Sequence, residues 1–218
     1  MLWGVPYYIF PAIALICNIF VVSGNCYNYI RAGNLNLKLL TPYLIGSVPL
    51  AYIGGSLQID KNLFEIFLFL ILTFAGTMLL INFKSYNDED ATYKDIPIIV
   101  SILIGGILGF VSGVIGIGGG IFLSPILFLI KAGKPKHIVT AASLFILINS
   151  IAGVIGQLTK NIVLIEISNY WYLFLAVMIG GHIGNFLNLK IFPTRILALV
   201  TAILVLFVAI RMGIKLFF

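Results

Sequence analysis

Apolar runs of close to twenty residues, each closed by a short polar cluster, recur along the chain from its first residues to its last. They predict membrane-spanning helices near 7–26, 39–57, 63–83, 138–158, 170–189 and 196–217, because about 20 residues at about 1.5 Å rise cross roughly 30 Å of hydrocarbon. Residues 96–131 do not fit this scheme. They are too long for one simple span, and Gly116-Ile117-Gly118-Gly119-Gly120 interrupts them, with Pro125 following. The one strongly hydrophilic stretch, 84–95 (KSYNDEDATYKD), reads as a linker between 1–83 and 96–218. The expected fold is all-α: a polytopic integral membrane helical bundle with a glycine-broken helix or hairpin in 96–131.

The two sides of the linker match at a nearly constant offset. Gly4-Val5-Pro6 corresponds to Gly133-Lys134-Pro135, Leu15 to Leu144, Gly24 to Gly153, and Tyr52-Ile53-Gly54 to His182-Ile183-Gly184. The bundle is therefore expected to be built from two homologous halves, 1–83 and 96–218. The second begins with the glycine-rich stretch and the first lacks it, so an N-terminally shortened arrangement is expected.

Composition narrows the class. With 61% hydrophobic and 9% charged residues, against roughly 25% charged in soluble domains, lipid is the solvent for most of this surface. The net charge of +6 is spread over many loops and forms no single basic face of the kind nucleic acid requires. The start MLWGVPYYIF has no basic n-region, so the first span is expected to stay in place in a cell (plasma or inner) membrane. Cys17 and Cys26 lie in the same apolar run, about 13 Å apart along one helix, beyond disulfide reach.

Glycine at 113, 116, 118, 119 and 120 costs about 1 kcal/mol of helix propensity each, which predicts a break. Irregular backbone at membrane depth survives only where protein buries it or where it lines a wet cavity. Transporters use such breaks to aim the free N–H groups and partial positive charge of a half-helix at an anion near the midplane. Ser112 and Ser124 flank the break and can donate to the same ligand. Isolated pairs such as Gly105/Gly109 and Gly180/Gly184 read more simply as close helix packing. A nucleotide site is excluded: Ile121 stands where a dinucleotide fingerprint needs its third glycine, and Pro135 follows Gly133-Lys134 where a phosphate loop needs Ser or Thr.

The stretch Gly109-Phe110-Val111-Ser112-Gly113-Val114-Ile115-Gly116-Ile117-Gly118-Gly119-Gly120-Ile121-Phe122-Leu123-Ser124-Pro125 resembles the signature of the sulfite exporter TauE/SafE family of membrane permeases. Thr140-Ala141-Ala142-Ser143-Leu144, Asn149-Ser150 and Gly153 are similar to a second motif of that family. The resemblance implies duplicated halves and transport of a small anion such as sulfite, a sulfonate or a related sulfur compound, coupled to an ion gradient. Two departures stand out: the first glycine-rich copy is missing, and Ala142 stands where the family often carries Thr.

The candidate substrate site therefore comprises Ser112, Gly116, Gly118, Gly119, Gly120, Ser124, Thr140, Ser143, Asn149 and, from the first half, Asn18. His182, the one histidine within a span, is a candidate proton carrier against the plainer role of a local hydrogen-bond partner. His137 is read as solvated in a basic loop. No cofactor, metal or catalytic constellation is expected, since neither histidine has a carboxylate within several positions. A membrane-embedded enzyme is the weaker alternative, and a truncated, transport-incompetent subunit is another. The expected partners are the lipid bilayer and a small anionic solute, with no nucleic acid. Small-residue faces suit a homo-oligomer as well as packing within one chain.

If 96–131 forms a hairpin, loops 27–38, 84–95, 131–137 and 190–195 share one side and carry nine of the thirteen basic residues, leaving Lys61, Lys160, Arg211 and Lys215 opposite. The positive-inside rule then makes that side cytoplasmic, puts both termini outside, and inverts one half relative to the other.

Overall fold

The computed structural model describes residues 5–82, 96–160, 167–190 and 194–217, and among them every regular element is a helix. Helix α1 is Phe10–Arg31, α2 Leu37–Ser56, α3 Lys61–Asn82, α4 Ile98–Ile115, α5 Gly120–Leu129, α6 Pro135–Leu158, α7 Trp171–Lys190 and α8 Thr194–Phe217. Among the described residues α1, α2, α3, α4, α6 and α8 are long and apolar enough to cross a membrane. Five of the six spans expected from the sequence fall on these helices, and the sixth, 170–189, falls on α7, whose apolar stretch Trp171–Gly181 is shorter. The linker 84–95 lies outside the described residues.

Two boundaries shift from expectation for physical reasons. Helix α1 runs on to Arg31, past the apolar run, because a helix once nucleated continues through polar Asn25–Arg31 until Gly33, at φ +73°, breaks it. The end of an apolar run marks the edge of the hydrocarbon rather than the end of the helix. Helix α6 begins at Pro135, where a missing N–H is harmless in the first turn. His137 therefore sits in that first turn rather than in a loop.

Small residues set the closest packing. Along α4, a Cβ added at Gly105, Gly109 or Gly113 would overlap the backbone carbonyls of Tyr43, Ser47 and Ala51 on α2. In return, one added at Gly46 or Gly54 would overlap the carbonyls of Ile102 and Phe110. The two backbones touch, so van der Waals contact binds the pair where lipid gives no hydrophobic drive. The packing reading of Gly105/Gly109 therefore holds, whereas Gly180 and Gly184 on α7 have nothing within 4 Å among the described residues. The ascending order of these contacts makes α2 and α4 parallel.

The remaining pairings give the directions of the other helices. Gly76 meets Leu206, Gly213 meets Phe69, and Glu65 meets Lys215, so α3 and α8 are antiparallel. Helix α1 packs on α6 and on α7, and α2 packs on α6 as well as α4. Leu15, early in α1, contacts Gly153, late in α6. Buried Tyr43, Leu108, Phe122, Leu123, Leu127, Ile138 and Phe145 join α2, α4, α5 and α6 in one apolar core.

Candidate anion site at the broken helix

The last α-helical bond of α4 runs from the Gly116 N–H to the Ser112 carbonyl. Gly116, Gly118 and Gly119 then take φ of +87°, +80° and +69°, a left-handed path that costs other L-residues about 1–2 kcal/mol each. This path reverses the chain. Gly119 comes to lie against the Leu108 carbonyl and Ser112, a turn or more back along α4. Helix α5 then descends until Gly133 reaches Leu39 at the start of α2. Since α2 and α4 are parallel, α4 enters and α5 leaves on the same side, and 96–131 is a hairpin. With 10 residues, α5 is about 15 Å long, half the hydrocarbon thickness.

The reversal is held by side chains from other helices. At the end of α4 the Gly113 carbonyl has lost its helical donor, and the fully buried Gln157 donates Nε2–H to it at 3.1 Å. Asn18 donates Nδ2–H to the Gly116 carbonyl at 3.4 Å. These amides satisfy carbonyls that every helix C-terminus leaves open and that lipid cannot solvate. Lys160 in turn donates to Gln157 Oε1 at 3.0 Å, and burial pushes its ammonium down to about 8.

The opposite polarity collects at the start of α5. Gly120 donates to the Gly118 carbonyl, and Phe122 and Leu123 donate to that of Gly119. The N–H groups of Ile117, Gly118, Gly119 and Ile121 have no acceptor among the described residues. Around Gly118 stand Ile146, Asn18 Nδ2 and Ser150 Oγ, and beside Gly119 stands Ser112. Ser112, Asn149 and Ser150 are all fully buried. The hydroxyls of Ser112 and Ser150 and the Oδ1 of Asn149 lack partners among the described residues, while the Asn149 Nδ2–H donates to the Phe145 carbonyl. Asn18 lies about 12 Å into α1 from its start, and Ser150 about 12 Å before the end of α6, so Gly118 sits near mid-depth, whereas Gly116 adjoins Pro11 in the first turn of α1. It is rich in donors and contains no cation, a combination suited to holding an anion loosely enough to let it go.

The sequence-derived candidates divide accordingly. Ser112, Gly116, Gly118, Gly119, Gly120 and Asn18 are brought together at the reversal, and Asn149 lies beside Ser150 on α6. Ser124 is half-buried within α5. Thr140 and Ser143 bond back to the Lys136 and Val139 carbonyls of their own helix, at 2.7 and 2.9 Å. The His182 side chain lies outside the described residues. Ser150 and Gln157 were missing from the candidates. A serine next to an asparagine in an apolar span was a legible signal for the first, but nothing local marks the second. No group of His, Cys, Asp and Glu able to hold a metal occurs among the described residues.

A multi-pass helical bundle with a re-entrant broken helix at mid-depth is the build of a membrane transporter, and comparison with known proteins agrees. The family whose model matches is described as Sulfite exporter TauE/SafE, over residues 1–212. The chain belongs to the sulfite exporter TauE/SafE family, a family of membrane transporters. It is 25% identical over 194 residues to the probable membrane transporter protein y4hK of Sinorhizobium fredii, covering 88% of this chain and 78% of that one. It is 26% identical over 215 residues to the probable membrane transporter protein YunE of Bacillus subtilis, covering 88% and 76%. A probable membrane transporter protein of Methanocaldococcus jannaschii is 27% identical over 192 residues, covering 82% and 69%. No solved structure matches the chain.

Proposed function

We propose that this protein carries a small sulfur-containing anion, such as sulfite or a sulfonate, across the membrane by alternating access, and that the anion binds where α4 gives way to α5. The observation that carries the reading is the set of free N–H groups at Ile117, Gly118, Gly119 and Ile121, set at mid-depth beside unpartnered Ser112 and Ser150 hydroxyls. Water cannot reach such groups in lipid, so each is costly unless a ligand visits. The family description, Sulfite exporter TauE/SafE, supports a sulfur-containing anion as the solute.

Helix directions support inverted halves. The repeat-related helices α1 and α6 run antiparallel, as do α3 and α8, and the packing of α2 on α6 has its counterpart in α7 on α1. Two inverted halves meeting near Asn18 and Asn149 can rock about a fixed midplane site. The side chains of Ser112, Asn149 and Ser150 are buried here, so the account requires a movement that opens the site to the anion. The test is uptake by proteoliposomes of sulfite, methanesulfonate and taurine against chloride. Saturable flux of a sulfur anion that disappears on substitution at Gly118 is the expected result, and flux indifferent to Gly118 removes the break from the mechanism.

A second reading has one observation in its favour. Gly54 of α2 clamps α4, whereas its repeat partner Gly184 on α7, with Gly180, has nothing within 4 Å among the described residues. That bare face suits another glycine-rich segment, which on this reading makes the chain one subunit of a paired assembly. Flux per protein that falls as protein is diluted in lipid marks such pairing, and constant flux per protein marks a working monomer.

A further inference from the structure

A cavity of about 320 Å³ opens between the first turn of α1, the start of α3 and the last turns of α8. Phe10, Val208 and Met212 give it an apolar wall, and Glu65, Arg211 and Lys215 give it charge. Glu65 is 8% exposed and accepts from Lys215 Nζ at 3.2 Å across the α3–α8 contact. Lys215 meets that buried carboxylate as an ion pair. Arg211 lies one turn earlier on the same face of α8 and has no ion-pair partner among the described residues. The ion pair cancels itself, so the cavity keeps one net positive charge, on a guanidinium whose planar fork suits an oxyanion.

The cavity lies one layer from the chain reversal. Phe10, Met212 and Ile117 all pack against one buried cluster of Phe64, Leu68, Val114 and Ile115, and a Cβ at Gly116 would lie 2.6 Å from the Cα of Pro11, the residue after Phe10. We infer that this cavity binds a monovalent oxyanion with an apolar body, Arg211 gripping the head and the Phe10–Met212 wall the body, while Glu65 sets the charge by neutralising Lys215. The chemistry is shared by a small organic sulfonate and by the phosphate of an anionic lipid. That the cavity is the vestibule of the transport path rests on the transport reading; that it binds anions does not.

Butanesulfonate is the probe. Purified protein in a neutral maltoside detergent is melted at constant ionic strength, sodium chloride being exchanged for sodium butanesulfonate, with a thiol-reactive dye reporting exposure of Cys17 and Cys26. A saturable rise in melting temperature is expected. Arg211→Gln should weaken it by about tenfold or more, the loss of a charge-assisted contact, while Arg211→Lys retains most of it. Glu65→Gln should strengthen it several-fold, because Lys215 is released to the ligand. Binding that is unchanged in Arg211→Gln, or weakened in Glu65→Gln, overturns the inference. If Arg211→Gln does not fold, Glu65→Gln still decides it: a strengthened shift supports the inference, and an unchanged or weakened one overturns it.

Bilayer discs of phosphatidylcholine alone, and of equal parts phosphatidylcholine and phosphatidylglycerol, identify the natural source. Loss of the butanesulfonate effect in the anionic discs supports the site with a lipid headgroup as occupant, and persistence supports it with a solute. Flux then separates the two readings. Wild-type protein that binds butanesulfonate yet transports nothing sinks the transport reading and leaves this site standing, whereas active protein without an Arg211-dependent shift does the reverse.

Discussion

Replacing Gly118 with alanine tests the chain reversal with a single methyl group. At φ +80° any L side chain costs about 1–2 kcal/mol. The new Cβ would stand 2.8 Å from Ile146 Cγ2, 2.9 Å from Asn18 Nδ2 and 3.4 Å from Ser150 Oγ. Those neighbours are side-chain ends that can yield, so overpacking adds about 1–3 kcal/mol rather than forbidding the fold. The combined loss, about 2–5 kcal/mol, is within the roughly 5–15 kcal/mol that holds a folded protein together. The variant should insert and melt at a lower temperature. Its methyl fills the space between Asn18 and Ser150 and shields the Gly118 N–H. Losing one hydrogen bond to a charged ligand removes about 1.5–3 kcal/mol, so flux should drop by about ten- to a hundred-fold. Gly24→Ala is the matched control, since nothing lies within 4 Å of its new Cβ and helix propensity improves by about 1 kcal/mol. Proteoliposome flux and melting temperature are measured for both. Gly118→Ala with wild-type flux would refute the reasoning, as would equal loss in Gly24→Ala.

Other outcomes follow from the same geometry. Ser112→Ala removes a buried hydroxyl that has no partner, so stability should hold or rise while flux falls; a drop in both means that Ser112 only supports the fold. Gln157→Leu strips the Gly113 carbonyl of its donor and should lower stability by about 1–3 kcal/mol in a denaturant titration, and an unchanged midpoint contradicts the capping role. Burial holds Lys160 at about 8, below its unfolded value of about 10.4, so the unfolded chain binds more protons between those values. Stability should therefore rise across that window relative to Lys160→Met, and parallel curves refute the shift. A topology reporter fused after Phe218 should read as external, and a cytoplasmic signal would reverse the orientation drawn from the basic loops.

Much of this architecture was legible along the chain. Spans are local properties, written in runs of apolar residues, and the reversal was written in five closely spaced glycines together with the distribution of basic loops. What the sequence hid lies between helices. Gln157 sits 44 residues from the carbonyl it caps, and Lys215 sits 150 from Glu65. Neither pairing has a local signature, because each depends on which helices become neighbours and at what height. Glu65 gains its partner only because α8 packs beside α3. Thr140 and Ser143 illustrate the opposite limit: a hydroxyl in an apolar helix can bond to the carbonyl one turn back, and sequence cannot distinguish that from a hydroxyl turned towards a ligand. Ser150 was visible in the second motif yet stood outside the candidate site, although its buried hydroxyl lies by Gly118.

The backbone amides themselves offer the most direct measurement. Protein labelled with ¹⁵N-glycine and ¹⁵N-isoleucine in lipid bilayers can be titrated with methanesulfonate while solid-state NMR follows each N–H. Saturable shifts confined to Ile117, Gly118, Gly119 and Ile121, with Gly24 and Gly180 unmoved, are expected if these groups hold the anion. Amides at the reversal that stay still while flux persists would contradict it.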